Sequence, residues 1–307
     1  MLEVKKISNK NFISSLDVSE SEIKYLIDLA ISLKENRIKL NVGEKVLGLI
    51  FDKSSTRTRV SFQVAMFRLG GQTIEINPET AQLGRGESIK DTARVLSKYC
   101  DAIAVRTSKQ EYIEEYAKWS TIPVINALTD QEHPCQALAD YLTIKEEFNE
   151  FKNKIICYVG DGNNVANSLL ICGSLLGCEV RIACPKGFEP DFSLITQIKK
   201  NNLDKGEIII TDDPFQAAKG AHVLYTDVWS SMGQEDEKES KEKIFKNFCL
   251  NQDLLNIANK RAIVMHCLPA YKGKEITEEV MEGDRNRIFE QAENRLYAQQ
   301  ALLASMI

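Results

Sequence analysis

Hydroxyl and guanidinium groups crowd one short stretch of this 307-residue chain, Ser55-Thr56-Arg57-Thr58-Arg59. Upstream, Val46-Leu47-Gly48-Leu49-Ile50 is an apolar run bounded by turn residues and reads as a buried strand. Downstream, Val60 to Leu69 reads as a helix, with Val60, Val64 and Phe67 on one face and Gly70-Gly71 as its stop. A strand-to-helix turn gathers free backbone N–H groups and the positive end of the helix dipole, which favours an anion. Ser55, Thr56 and Thr58 can donate hydroxyls, and Arg57 can grip two oxygens of a phosphate at once. The same residues would also serve as a plain Ser/Thr N-cap beside solvated arginines.

Other chemistry-bearing residues fall at the ends of predicted strands or the starts of predicted helices. Arg106 closes a strand over 101–106, and ligands of open α/β sheets collect beyond such carboxyl ends. His133-Pro134-Cys135-Gln136 leads from a strand at 123–127 into a helix over 137–148, which reads as a bridge between two domains. Asp227 ends a strand over 222–227, and His266-Cys267 end one over 262–267. Each has a plainer alternative: a surface arginine at 106, a structural cap at His133, a packing residue at Cys267. His222, inside an apolar run, reads as a core histidine.

The turn Gly160-x-Gly162-x-x-Val165 nearly fits a dinucleotide fingerprint. The third glycine is missing, and the next strand, 179–184, ends in Cys184-Pro185 and not in the acid that would hold a ribose, so a nicotinamide cofactor is excluded. Asn167, early in the following helix, is a candidate for an amino-acid carboxylate or a turn residue.

The elements that must position these groups alternate. A helix over 19–34 carries Ile23, Leu26, Ile27, Leu29, Ala30 and Leu33; strands follow at 73–77, 154–159 and 208–211, and helices at 88–99, 214–219 and from 288. Alternation over a length too great for one core predicts two doubly wound parallel-sheet domains. The segments 78–86 and 234–246 read as a polar loop and a solvated, charge-dense surface. A net charge of −5 argues against broad nucleic-acid binding. No apolar run approaches the roughly 20 residues that span a bilayer. The start, Met1 to Lys6, lacks the apolar core of a signal peptide. Eight cysteines, scattered without a CxxC, read as reduced thiols of a cytoplasmic protein, mostly packing the core.

Ser55-Thr56-Arg57-Thr58-Arg59, His133-Pro134-Cys135-Gln136, Asp227-Val228-Trp229-Ser230-Ser231-Met232-Gly233 and His266-Cys267-Leu268-Pro269 occur in that order over nearly the whole chain. Together they resemble the aspartate/ornithine carbamoyltransferase family, and the segment at 227–233 resembles its ornithine branch. The resemblance implies a carbamoyl phosphate-binding domain at 1–135, an ornithine-binding domain at 136–287, and a C-terminal helix, 288–307, that returns to the first domain. It implies a homotrimer in which the 78–86 loop carries Gln82 to a neighbour's phosphate site. It gives carbamoyl phosphate to Ser55, Thr56, Arg57, Thr58, Gln82, Arg106, His133, Gln136, Cys267, Arg295 and the Leu268 carbonyl. It gives L-ornithine to Asn167, Asp227, Ser231 and Met232. Neither metal nor cofactor is implied.

The residue types suit that chemistry. Carbamoyl phosphate combines a dianionic leaving group with a poor, amide-like electrophile, so transfer needs positive charge on the phosphate and donors at the developing oxyanion. A neutral imidazole N–H and an amide can bind the planar O=C–NH₂ group. The acceptor δ-amine, with a pKa near 10.4, is about one part in a thousand or less neutral at pH 7 and must lose a proton. The resemblance makes Cys267 the candidate acceptor, which requires nearby positive charge to favour its thiolate. Rival readings are an aspartate, putrescine or acetylornithine acceptor, a non-catalytic paralogue, and a zinc hydrolase built on His133, Cys135, His266 and Cys267.

Overall fold

The computed structural model of the chain describes residues 4–53, 55–77, 86–200, 205–230 and 238–307. It divides into two units, Met1–Leu142 with Asn294–Ile307, and Thr143–Glu293.

The first unit opens with α1 (Glu20–Lys34), then β1 (Val46–Phe51), α2 (Thr56–Arg68), β2 (Gln72–Ile76), α3 (Ile89–Tyr99), β3 (Ala102–Arg106), α4 (Gln110–Trp119), β4 (Val124–Leu128) and α5 (Pro134–Phe148), in which the unit boundary falls. Ser19 caps α1, its hydroxyl taking the Glu22 N–H while the Glu22 carboxylate returns to the Ser19 backbone. The face so started buries Ile23, Leu26, Ile27, Leu29, Ala30 and Leu33. The strands pair in parallel in the order β2-β1-β3-β4. Central β1 is buried from Leu47 and β3 throughout, the pattern of strands covered on both faces, while edge β2 stays largely exposed. The chain moves outward from β1 to β2 and then crosses back to β3, so the switch in strand order lies between β1 and β3, and Phe51 pairs with Arg106 there.

The second unit contains β5 (Ile155–Val159), α6 (Asn164–Leu176), β6 (Glu179–Ala183), α7 (Phe192–Lys200), β7 (Ile208–Thr211), α8 (Pro214–Ala218), β8 (Val223–Thr226), α9 (Lys238–Phe245), α10 (Gln252–Ile257), β9 (Ile263–His266) and α11 (Glu278–Met281). Its parallel sheet has the order β7-β6-β5-β8-β9, with the switch between β5 and β8. Helix α6 is buried from Val165 to Leu176 and stops at Gly177, whose φ of +77° suits a residue without a Cβ. His222 is a satisfied core residue: its Nδ1 accepts the Ile155 N–H at 3.1 Å.

The last helix, α12 (Ile288–Met306), crosses the second boundary, and from Asn294 onward it belongs to the first unit. There Lys34 Nζ donates to Asn294 Oδ1 at 2.7 Å, the Ile7 N–H donates to the Ser305 carbonyl, and Leu302 and Leu303 are fully buried. All eight cysteines are free thiols, seven of them buried.

Candidate active site

In the first unit the chemistry gathers beyond the carboxyl ends of β1 and β3. Ser55 holds the N-cap position of α2 but makes no side-chain cap hydrogen bond, and the first turn carries no acid. The plain capping role therefore does not account for this hydroxyl. Arg57 and Thr56 are exposed in that first turn, where the helix dipole opposes a cation and welcomes an anion. Arg59 has a structural explanation: it pairs with Glu75 at 3.3 Å and lies over the Phe51 ring.

Thr58 is fully buried, and two buried guanidiniums converge on its Oγ1, Arg295 at 2.9 Å and Arg106 at 3.5 Å. Arg295 also donates from Nε and Nη2 to Gln136 Oε1, at 2.9 and 2.6 Å, and its Nη2 lies 3.4 Å from His133 Nε2. Burial, followed by the charges of Arg295 and Arg106, pushes the His133 pKa well below the usual histidine value. The ring is therefore neutral at pH 7, held so first by burial and then by the two guanidiniums. One turn along α5, Asp140 Oδ1 accepts from Gln136 Nε2 at 2.8 Å, which fixes the amide with its oxygen toward Arg295. The Gln136–Asp140 spacing of four on a helix was the sequence signal for this partner, and reasoning from motifs passed over it.

The second unit builds its group beyond β5, β8 and β9. Asp227, after β8, accepts from Asn163 Nδ2 at 2.9 Å on one oxygen and from the Cys267 thiol at 3.0 Å on the other. Asn163 bridges the switch point, since its Oδ1 also caps α6 through the N–H groups of Val165 and Ala166. Tyr158, whose phenol burial and then the Asp227 charge keep protonated, reaches the same Oδ1 at 3.3 Å. Asn167 lies one turn further, its Oδ1 accepting from the Asp191 N–H at 3.4 Å. Gly162 belongs to packing: a Cβ there would meet the Pro190 backbone nitrogen at 2.4 Å. Thus the near-fingerprint glycine serves a close backbone approach and not a pyrophosphate.

The thiol of Cys267 faces a carboxylate, the opposite of the positive surroundings expected for it, and it donates to that carboxylate. Asp227, His266 and Cys267 offer ligand atoms within 4.8 Å of one another, but both ring nitrogens of His266 are engaged, Nδ1 by the Leu268 N–H and Nε2 by Glu275. Cys135 donates its thiol to the Asn126 carbonyl, and burial pushes its pKa up to about 12, against any thiolate ligand. These donor sets do not favour zinc. Gln82, Ser231 and Met232 lie outside the described residues.

A turn that welcomes an anion beside β1 and β3, and an aspartate–thiol pair beside β8 and β9, mark a two-domain transferase of the doubly wound class. The chain belongs to the aspartate/ornithine carbamoyltransferase family: residues 10–146 match its carbamoyl-P binding domain and residues 152–306 its Asp/Orn binding domain. It is 61% identical over 307 residues to the ornithine carbamoyltransferase of Prochlorococcus marinus (strain MIT 9312), covering 100% of both chains. Among solved structures it resembles the ornithine carbamoyltransferase from Pyrococcus furiosus, with a TM-score of 0.93 and 46% identity over 98% of each chain. The enzyme from Gloeobacter violaceus gives 0.89 and 47%, covering 97% of this chain and 98% of that one.

Proposed function

We propose that the protein transfers the carbamoyl group of carbamoyl phosphate to the δ-amine of L-ornithine, giving L-citrulline and phosphate. The observation that carries the reading is the buried Thr58 hydroxyl held by Arg106 and Arg295 beside a neutral His133. Such a locus suits an acyl phosphate whose leaving oxygen and carbonyl oxygen both gain charge. The relatives' shared name supplies the acceptor. In this reading Ser55, Thr56, Arg57, Thr58 and Arg106 hold the phosphate, and His133, Gln136 and Arg295 address the carbamoyl group. The δ-nitrogen forms a bond to the carbamoyl carbon, the bond from that carbon to the phosphate oxygen breaks, and phosphate leaves with the electron pair. The amine proton is accepted by the Cys267 sulfur, once its own proton has left to solvent, and Asp227 as carboxylate receives the α-ammonium, with Asn167, Ser231 and Met232 around the amino-acid head. Citrulline formation measured with ornithine, aspartate, putrescine and acetylornithine in parallel tests this. Turnover with ornithine far above the other three is expected, and none with ornithine overturns the reading.

The protein is further proposed to work as a homotrimer in arginine biosynthesis in the cytoplasm. Helix α2 buries Phe62, Ala65 and Met66, while Phe67 and Val60 on its other side are 79% and 48% exposed, and Ile74 of edge strand β2 is 49% exposed. Apolar side chains left bare on adjacent elements suit a second copy. Free thiols suit a reducing compartment, and no described helix is long and apolar enough to cross a membrane. Phe67→Asp should lower the mass seen by light scattering from three chains toward one; a trimer unchanged by it places the contact elsewhere.

A further inference from the structure

Strand β9 ends at His266, and the chain then turns sharply. Leu268 has a φ of 60°, a left-handed conformation that a bulky side chain rarely adopts. Such a backbone persists only where its surroundings over-determine it. The surroundings here form a relay. The Leu268 N–H donates to His266 Nδ1 at 2.8 Å, so that nitrogen carries no proton. The ring's proton then sits on Nε2, which faces Glu275 Oε1 at 3.2 Å. The same oxygen of Glu275 accepts the Tyr271 N–H at 2.5 Å, closing the turn on its far side. His266 and Glu275 are 0% and 1% exposed. The His266 main chain is fixed separately, its N–H donating to Gln291 Oε1 at 2.8 Å. The ring therefore holds the turn and not the strand.

We infer that His266 and Glu275 are positioning residues: the relay from Glu275 through the His266 ring to the Leu268 N–H sets the turn that aims the Cys267 thiol at Asp227. Cys267 lies between the two anchored points, His266 and Leu268, so release of the Leu268 N–H lets the turn relax and swings the thiol from its 3.0 Å contact. Misplacement of a reacting group by about 1 Å is enough to cost on the order of a hundredfold in rate.

The consequence for turnover rests on the carbamoyltransferase reading; the consequence for the thiol rests on geometry alone. Two readouts separate them: kcat for citrulline, and the rate of Cys267 alkylation by iodoacetamide, followed by peptide mass spectrometry on the folded protein. Three variants are compared. In His266→Asn the side-chain oxygen can still accept the Leu268 N–H, whereas His266→Gln reaches toward Glu275 and leaves Nδ1 unreplaced. Glu275→Ala removes the outer anchor without touching β9. His266→Asn, which keeps the acceptor for Leu268 but loses the Glu275 contact, is expected to change no more than Glu275→Ala and far less than His266→Gln in both readouts. His266→Gln is expected to lose roughly a hundredfold in kcat and to be alkylated at least about tenfold faster, with Glu275→Ala moving the same way by less. If His266→Gln does not fold, Glu275→Ala carries the test. Wild-type alkylation in folded His266→Gln or Glu275→Ala, or equal acceleration in His266→Asn and His266→Gln, overturns the inference. If the wild type makes no citrulline, the functional reading fails while the alkylation readout still decides this one.

Discussion

Thr58 carries more of the first unit's chemistry than its size suggests, because two guanidiniums share its one oxygen. Thr58→Val keeps the shape and removes the acceptor. Hydrogen bonds to charged groups are worth about 1.5–3 kcal/mol, so kcat/KM for carbamoyl phosphate should fall on the order of 10–100-fold in steady-state assays. His133 gives a pH signature. Its folded form stays neutral, while the unfolded chain takes up a proton below about pH 6.5. Wild-type stability should therefore decline as pH falls through 6.5, and His133→Gln should lack that decline. Urea midpoints from pH 8 to pH 5 check it, the wild-type advantage shrinking toward the acid end. Thr58, Arg106, His133, Gln136, Asp227 and Cys267 were nameable from the sequence, because motif residues sit at strand ends and helix starts; Arg295, midway along α12, was named only by the family resemblance. Their partners were harder to read. Which of Asn163, Asn164 and Asn167 meets Asp227 is decided by the pairing of β5 with β8, across a long stretch of chain. The carboxylate facing Cys267, where positive charge was expected, follows from the β8–β9 neighbourhood and has no local sequence mark.

Caps decide how legible an element is. Helix α1 was readable because Ser19 and Glu22 form a capping box ahead of a regular apolar stripe. Helix α4 was not, since its N-cap, Lys109, makes no side-chain bond and only Gln110, Ile113 and Tyr116 of its residues are buried. The parallel strands were legible as apolar runs, each within about two residues of its observed bounds. Burial alone would raise the Glu22 carboxyl, but hydrogen bonds from the Ser19 backbone and hydroxyl and from Ser8 outweigh it and hold the pKa at about 2. The unfolded value is near 4.3, so the stabilisation is complete above that pH and is lost as pH falls through about 2. Glu22→Gln should thus melt below the wild type at pH 7, with the gap closing between pH 4 and pH 2. Asn163 joins an element to a residue, capping α6 with its oxygen while its amide holds Asp227. Asn163→Ala should lose about 0.5–2 kcal/mol of stability and raise the ornithine KM. Asn163→Ser should recover most of the stability and leave the KM raised, which calorimetric melts and kinetics on the same samples would separate.

At the scale of the whole molecule, each sheet places its polar groups where its strand order reverses, between β1 and β3 in one unit and between β5 and β8 in the other. That arrangement follows from topology, and so the two-domain α/β class was legible from alternation alone. The membership of Asn294–Ile307 in the first unit came from the family resemblance and not from alternation, since no local pattern in a terminal helix says which core it will join. Ending the chain at Glu293 removes Arg295, Leu302 and Leu303 from the first unit. Hydrogen exchange in β1 and β3, followed by mass spectrometry, should be markedly faster in that truncated chain than in the full one; equal protection would mean that the helix is dispensable to that core. The returning helix also orders events during synthesis. A ribosome releases Met1–Leu142 first and must then translate all of Thr143–Glu293 before the segment that completes the first unit emerges. At 5–20 residues per second the wait is on the order of ten seconds. Throughout it the nascent chain exposes the apolar surface that Leu302 and Leu303 will cover, and Thr58 lacks the guanidinium of Arg295. The anion site is thus one of the last parts of the protein to be finished, and a stalled or prematurely terminated chain leaves a half-built domain open to chaperones and proteases.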